Sequence, residues 1–199
     1  MDELDIRRLP LRQQLDRLDE RFAALPPGDT FVLVVDAEPV TLMAAFDVDH
    51  AEAHRSTVLE ATPGLWRIGI TRLTASDLPR VLCNTQIVAA QASSSAAAGA
   101  VWRLQLRQRH LDANIIHLPA HDSISLHIGS DLDVLILVLV GSGTMSTEAG
   151  DVSLATGSLG WLPRRSVRAV TADGTGLTYF TVHQRRPGMT IGKRPPDAP

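Results

Sequence analysis

Residues 134–141 have the sequence Val-Leu-Ile-Leu-Val-Leu-Val-Gly, which contains the longest apolar run of the chain. Seven β-prone residues ended by a glycine are typical of a strand and too short for a buried helix. A strand with one face in water alternates apolar and polar residues, and this run does not alternate. We therefore expect both faces to be buried, one inside the fold and the other under a second copy of the chain or under the N-terminal half.

The sequence on both sides of this run, from Trp102 to His183, consists of short β-prone stretches separated by turn residues. Glycine, proline and aspartate mark the breaks, at residues 119–122, 129–131, 141–143, 150–151, 163–165 and 173–176. This part of the sequence shows no pattern of helix length. Many short strands joined by glycine-rich turns predict an all-β sandwich or a closed barrel.

The N-terminal part of the chain has a different pattern, because its apolar residues recur at steps of three and four between Leu11 and Leu25. This spacing predicts an amphipathic helix, which the following prolines end. The predicted elements are a strand at residues 4–6, a helix at 11–25, a strand at 31–35, a helix at 40–46, and a hairpin with strands at 55–61 and 65–70. The order β-α-β-α-β-β predicts a two-layer α/β sandwich, so the whole chain is of the α+β class.

A connecting segment joins these two parts. Asp77 is a candidate helix cap, and the alanine- and serine-rich residues 91–99 are typical of a linker. The tail is rich in proline and glycine, which predicts disorder. The expected organisation is an α/β domain, a short helix with a linker, a β-barrel and a disordered tail, at residues 1–75, 76–98, 99–187 and 188–199.

Composition narrows the classes of function. The net charge of the 199 residues is −3, and no continuous basic stripe is present, so we expect no nucleic-acid partner. The sequence shows neither a signal-peptide pattern nor an apolar run of bilayer length, so we expect a cytoplasmic protein with no membrane partner. Cys83 is the only cysteine and has no internal disulfide partner; we interpret it as a small buried residue.

The second half resembles the cupin superfamily. Residues 134–140 followed by Gly141 fit the end of the first cupin motif, and Gly157 with Leu162-Pro163 and the strand that follows fit the second. The resemblance covers about 85 residues of the chain. It implies a double-stranded β-helix barrel, whose interior in such proteins holds a metal ion bound by histidine and glutamate side chains.

The metal-ligand positions of that pattern are largely lost here. Counting along the motifs places His127, Gly129, Val134 and Arg168 at the four positions. Only His127 can bind a metal ion, because a guanidinium group has no free lone pair. The resemblance therefore implies a degenerate cupin barrel for which we expect no cofactor, although a divalent metal at other ligands stays an alternative.

The first half resembles the DUF2249 family, whose small domains are related to the TusA/SirA-like fold of sulfur carriers. The matching stretches are residues 4–7, 25–29 and 63–67. The sulfur carriers have a cysteine-proline pair at the start of the first helix, where this sequence has Leu11 and Arg12. Persulfide transfer needs a thiolate, so the resemblance does not extend to that activity. The fusion of the two domains resembles an uncharacterised bacterial type.

Candidate ligand-binding residues follow from the strand period and the cupin pattern. Ser125 and His127 share one face of a predicted strand, and the pattern turns that face into the barrel. Arg168 replaces a histidine; pointing inward, it would hold an anion or be neutralised by Asp133 or Glu148. The aromatic side chains that could line or cover such a pocket are Trp161 and Tyr179.

Three functions remain open. We favour a non-catalytic protein that binds a small, anionic ligand or has a regulatory role, with the DUF2249 domain as an accessory interaction domain and a homodimer formed through the barrel. The second is a metal-dependent cupin enzyme of the oxygenase or isomerase class with non-standard ligands. Its candidate ligands are His127, His117, His121, Asp133 and His183. The third is a structural or partner-binding module.

Overall fold

The computed structural model describes residues 2–107 and 109–185. The chain divides into two compact units, one of Met1–Val81 with Gln105–Gln108 and the other of Leu82–Leu104 with Arg109–Pro199. The tail predicted to be disordered, at residues 188–199, lies outside the described residues. In the part of the chain that the structure describes, no helix combines the length and the apolar character needed to span a membrane.

The first unit has the element order that its sequence pattern predicts. The elements are β1 (Glu3–Asp5), α1 (Leu11–Ala23), β2 (Thr30–Val35), α2 (Val40–His50), β3 (His54–Thr62) and β4 (Leu65–Arg72). The sheet has the strand order β1-β2-β4-β3, in which β1 and β2 are parallel and the other pairs are antiparallel. The periodic residues of α1, among them Leu18 and Phe22, pack with Phe31 and Leu33 of β2 in one core.

Arg72 at the end of β4 satisfies the carbonyl groups that the end of α1 leaves without partners. Its guanidinium group donates hydrogen bonds to the main-chain oxygens of Phe22, Ala23, Leu25 and Ala75. The same group lies 5.3 Å from the ring centroid of Phe22. This arginine therefore holds the end of α1 against the chain that follows β4, and its role is structural.

The second unit consists of one helix and seven strands. They are α3 (Thr85–Ala92), β5 (Gly99–Arg103), β6 (Leu111–Leu118), β7 (Ser123–Ile128), β8 (Val134–Thr147), β9 (Gly150–Ala155), β10 (Leu159–Leu162) and β11 (Val167–Gln184). The helix begins after Asn84, whose side chain accepts hydrogen bonds from the main-chain nitrogens of Gln86 and Ile87. The predicted cap at Asp77 is therefore wrong: Asp77 Oδ1 instead lies 3.0 Å from Nδ1 of His50.

Two long strands, β8 and β11, organise the sheet of the second unit, whose order is β10-β8-β11-β6-β5, with β9 paired to β8 and β7 paired to β11. Each long strand spans two of the predicted short strands. The glycine-containing segments between those short strands are bends and register shifts within continuous strands, and they do not end the pairing. At the bend, a Cβ atom on Gly141 would lie 2.0 Å from the carbonyl oxygen of Gly176.

The bends divide the sheet into two halves that enclose one core. Val134, Ile136 and Val138 of the first half share a buried cluster with Met145 and Val170 of the second half. No sheet closes on itself within the described residues, so the predicted closed barrel is not observed. The second unit is therefore β-rich, with two sheet halves around one core.

The burial of residues 134–140 alternates although their sequence does not. Ile136 and Val138 are buried, whereas Leu135 is 46% exposed and Leu137 is half-buried. Within a single chain, the expected burial of both faces is therefore wrong. One face packs in the core between the sheet halves, and the other face carries apolar side chains in contact with water.

Candidate functional site

Arg168 lies in β11 and points between the two halves of the sheet. It is paired across the strands with Thr147 of β8 and His127 of β7. Val170 and Ala172, which share its face of β11, belong to the buried core. Arg168 itself is only 9% exposed. The strand register therefore places a long cationic side chain on the inner face.

The guanidinium group of Arg168 has hydrogen-bond partners but no counter-charge. Its Nη1 donates to the main-chain oxygen of Ser166 at 3.2 Å and to Oγ of the same residue at 2.8 Å. Among residues 2–107 and 109–185, no carboxylate lies within 4.0 Å of it. Asp133, a predicted partner, accepts a hydrogen bond from the main-chain nitrogen of Arg164 instead. Burial lowers the pKa of Arg168, opposed by an interaction with Tyr179.

Gly129 provides the space that the guanidinium group fills. A Cβ atom at this position would lie 2.1 Å from Nη1 and 2.8 Å from Cζ of Arg168. No side chain fits at such distances, so the main chain at residue 129 and the guanidinium group pack directly against each other. The two residues that occupy metal-ligand positions in the cupin pattern thus form a complementary pair in this chain, one small and one large.

A cavity of about 270 Å³ adjoins Arg168. It is lined by Met145, Thr147, Glu148, Ala149, Trp161, Leu162, Pro163, Ser166, Val167 and Arg168. Met145, Leu162 and Arg168 are buried and form its inner end, whereas Glu148 and Trp161 are exposed at its mouth. Ligand sites typically have volumes of about 300–1,000 Å³, so this cavity suits a small molecule.

His127 and Ser125 occupy positions that differ from the prediction. A β-bulge in β7 places two residues of that strand opposite one residue of β11, so Ile124 pairs with Val170 and His127 pairs with Arg168. His127 therefore shares the face of Arg168, while Ile124, which was expected outside, packs against the core. Both Ser125 and His127 are exposed, and neither lines the cavity. His127 Nδ1 lies 2.8 Å from the main-chain oxygen of Ser125.

The two predicted aromatic residues have different environments. Trp161 lines the cavity mouth and is 63% exposed. Tyr179 is 4% exposed and belongs to the core cluster beside the cavity. Burial raises the pKa of Tyr179 to about 12, against a smaller opposing effect of the positive charge on Arg168. Trp161 is therefore placed to contact a ligand, whereas Tyr179 supports the inner wall.

The residues at the cupin metal-ligand positions do not fit a metal ion. Gly129 has no side chain, Val134 is packed in the core, and the guanidinium group of Arg168 cannot donate a lone pair. His127 is the only remaining donor of the four, and a transition metal needs three or four converging donors. The guanidinium group of Arg168 thus lies on the inner face, at a position where the cupin pattern has a metal ligand.

The side chains of the alternative metal-ligand set do not converge on one point either. His117 is 3% exposed and its Nδ1 lies 2.9 Å from Oγ1 of Thr178, on the face of β6 that points away from the shared core. His183 is far from His117. It pairs with Asp112 of β6, which is five positions from His117 along the strand, or roughly 16 Å at about 3.3 Å per residue. His121 is exposed in the turn after β6. In the described chain, no group of three His, Cys, Asp or Glu side chains is placed to hold a metal.

The sequence interpretation missed a buried ionic cluster in the first unit. His50 lies between two carboxylates, with Nε2 3.3 Å from Asp19 Oδ1 and Nδ1 3.0 Å from Asp77 Oδ1. Burial alone lowers the pKa of His50, but its hydrogen bonds to Asp19 and Asp77 outweigh that effect and raise it. Arg107, from the segment between β5 and β6, reaches Asp19 at 2.8 Å and Asp16 at 2.5 Å. Apart from Asp16 and Asp19, which are one turn apart on α1, these residues are far apart in sequence, so no local pattern marks the cluster.

Residues 3–72 match the family model described as "Uncharacterized conserved protein (DUF2249)". No curated protein matches the chain. Among solved structures, a cupin-2 domain protein from Shewanella frigidimarina has 10% identity and a TM-score of 0.42, over 52% of this chain and 95% of its own. A cupin protein from Bacteroides fragilis has 20% identity and a TM-score of 0.39, over 51% and 87%. A Rhizobium leguminosarum protein of unknown function has 17% identity and a TM-score of 0.40, over 53% and 97%. The chain thus matches DUF2249 over residues 3–72 and is consistent with a DUF2249–cupin fusion.

Proposed function

We propose that the second unit binds a small anion at Arg168 and that the protein acts as a binding or regulatory protein without catalysis. The supporting observation is that Arg168, a residue only 9% exposed, lines a cavity, and that its guanidinium group has no carboxylate within 4.0 Å in the described chain. A buried charge without a partner is costly, and an anion from solution would offset that cost. Arginine also presents a fork of N–H donors that matches a carboxylate or a phosphate.

The composition of the cavity supports binding over catalysis. Its described lining residues include no histidine or cysteine, and the hydroxyl groups of Thr147 and Ser166 are hydrogen-bonded to main-chain oxygens. A nucleophile needs a base within hydrogen-bond reach, and these hydroxyl groups have none.

We further propose that the first unit is a TusA-like domain that serves for interactions. The second unit would be a variant of the cupin barrel in which Arg168 replaces the metal.

The anion site is tested by titrating the full chain with acetate, benzoate and inorganic phosphate, with calorimetry and thermal unfolding as readouts. We expect at least one of these anions to bind and to raise the melting temperature, because a ligand that binds only the folded state stabilises it. Arg168→Gln should abolish both effects. Arg165→Gln, which removes an exposed arginine paired with Asp131 at 3.8 Å, is the matched control and should bind normally. Equal binding by both variants would contradict the proposal.

We also propose a homodimer through the exposed face of the strand at 134–140. Leu135 pairs with Trp161 and Leu137 pairs with Leu159, so these side chains form one apolar face. Leu159 is 70% exposed and Trp161 is 63% exposed in the single chain. Light scattering should report a dimer for the wild type and a monomer for Leu135→Asp. Leu126→Asp, on β7, is the control and should leave the dimer intact; a monomeric wild type would refute the interface.

A further inference from the structure

We infer that the ligand of this cavity is a monocarboxylate with an apolar body of about the size of benzoate. This inference rests on the proposed anion site at Arg168 and adds the chemical class of the ligand. Three properties of the cavity support it: the number of polar side chains that are free to recognise a ligand, the charge at the mouth, and the volume.

Arg168 is the one inner polar side chain with donors left over for a ligand, among the described lining residues. The hydroxyl group of Thr147 donates to the oxygen of Gly150 at 2.8 Å and accepts from the nitrogen of Ala149 at 3.2 Å. The hydroxyl group of Ser166 donates to the oxygen of Pro163 at 2.8 Å and accepts from Arg168. Both hydroxyl groups are therefore already used. A guanidinium group has five N–H donors, and only Nη1 of Arg168 is engaged by Ser166.

The rest of the inner wall is apolar, with Met145, Leu162 and Val167 lining it. A sugar or a phosphate ester that entered would leave hydroxyl or phosphate oxygens facing these side chains without hydrogen bonds. A hydrocarbon or aromatic body would instead transfer apolar surface out of water. The cavity thus favours a ligand with one anionic end and an apolar remainder, and it disfavours ligands with many polar atoms.

Glu148 at the mouth limits the ligand to a single negative charge. It is exposed, and within residues 2–107 and 109–185 it forms no ion pair. A second carboxylate at the outer end of a ligand would face this like charge, which raises the free energy of the complex. Trp161 also lines the cavity and adds to its apolar surface.

The volume fixes the size of the ligand. At roughly 30 Å³ per water molecule in the liquid, a cavity of about 270 Å³ holds the equivalent of about nine waters. Benzoate, with about nine non-hydrogen atoms, fits within a space of this size, whereas acetate leaves more than half of it empty. Benzoate is therefore the probe that fits the charge, the wall and the volume together.

The test is calorimetric titration of the full chain with benzoate, acetate, inorganic phosphate, terephthalate and the neutral benzyl alcohol. We expect benzoate to bind roughly tenfold or more tightly than acetate, because its ring buries additional apolar surface. Phosphate and benzyl alcohol should bind too weakly to detect. Glu148→Gln should strengthen the binding of terephthalate more than that of benzoate, because the second carboxylate of terephthalate lies nearer the mouth.

The outcomes separate this inference from the proposed function. If acetate or phosphate binds as tightly as benzoate and Arg168→Gln abolishes it, the anion site stands and the monocarboxylate class is wrong. If benzyl alcohol binds as tightly as benzoate and Arg168→Gln has no effect, both are wrong. If no probe binds, both are also wrong.

Gly129→Ala gives an independent check. Its Cβ atom displaces the guanidinium group of Arg168 while keeping the charge, and the variant should bind benzoate more weakly.

Discussion

Arg107 and Arg168 are both shielded arginines, and their surroundings are opposite. Arg107, in the first unit, contacts the carboxylates of Asp16 and Asp19, and its main-chain nitrogen donates to Asp49. Arg168, in the second unit, has Ser166 as its one hydrogen-bond partner among the described residues, and it lines a cavity. A cation surrounded by carboxylates has its charge neutralised within the fold. A cation without them keeps its charge available for a ligand, and this contrast is why we assign the two residues different roles.

The largest effect on stability is expected when Arg107 is removed. Arg107→Met leaves the side chain of Asp19, which is 6% exposed, with His50 as its remaining ionic partner, and a buried charge that loses part of its compensation is destabilising. We expect a loss of about 2–3 kcal/mol in the free energy of unfolding, measured by urea denaturation. A loss below about 0.5 kcal/mol would show that the cluster does not stabilise the first unit, and it would contradict the different roles assigned to Arg107 and Arg168.

Removal of Arg168 should have a smaller effect, of the opposite sign. Arg168→Met replaces a desolvated cation that has no counter-charge by an apolar side chain of similar length. We expect the free energy of unfolding without ligand to stay the same or to rise by up to about 1 kcal/mol, again by urea denaturation. A loss of 2 kcal/mol or more, roughly as for Arg107→Met, would mean that Arg168 has a structural role.

The ionic cluster of the first unit should also respond to pH through His50. Its pKa is raised above the ordinary value of 6.5 by Asp19 and Asp77. A raised pKa in the folded state means that the stabilisation is complete below pH 6.5 and is lost as the pH rises through the folded-state value. The free energy of unfolding should therefore fall as the pH is increased from 6 to about 9. His50→Gln should remove this dependence, while His121→Gln, in an exposed turn, should retain it.

The smallest effect is expected at Arg165. Its ion pair with Asp131 is 3.8 Å long and both side chains are about three-quarters exposed. Exposed pairs of this kind contribute less than about 0.5 kcal/mol, because water and salt screen them. Arg165→Gln should therefore change the unfolding free energy by less than this amount. A larger change would show that this exposed ion pair stabilises the protein as strongly as the ionic cluster around Arg107.

The sequence predicted those parts of the molecule that depend on local patterns. The apolar period between Leu11 and Leu25 predicted the first helix, and the run at 134–140 predicted a strand, although only one of its two faces is buried within the chain. Counting along the cupin motifs also singled out Gly129 and Arg168, which the structure brings into contact. These inferences succeeded because each depends on residue spacing along one strand or one helix.

The remaining features depend on contacts between distant parts of the chain. The β-bulge in β7 places Ile124 on the same face as His127, where regular alternation predicts opposite faces, and no local signal in the strand marks the extra residue. Glycines that were interpreted as turns lie at bends within β8 and β11, where Gly141 and Gly176 have positive φ values and the strand pairing resumes beyond the bend. Arg107 meets Asp19 only after folding, since the two are separated by most of the first unit and part of the second.

The most direct test of the anion site is a crystal structure of the full chain with 4-bromobenzoate, in which bromine is located by its anomalous scattering. We predict a carboxylate at about 2.8 Å from the guanidinium nitrogens of Arg168, with bromine between Leu162 and Trp161. The Arg168→Gln protein, treated in the same way, should show no bromine there. An empty wild-type cavity in which Arg168 is paired with Glu148 would contradict the account, because the cation would then be neutralised by the protein itself.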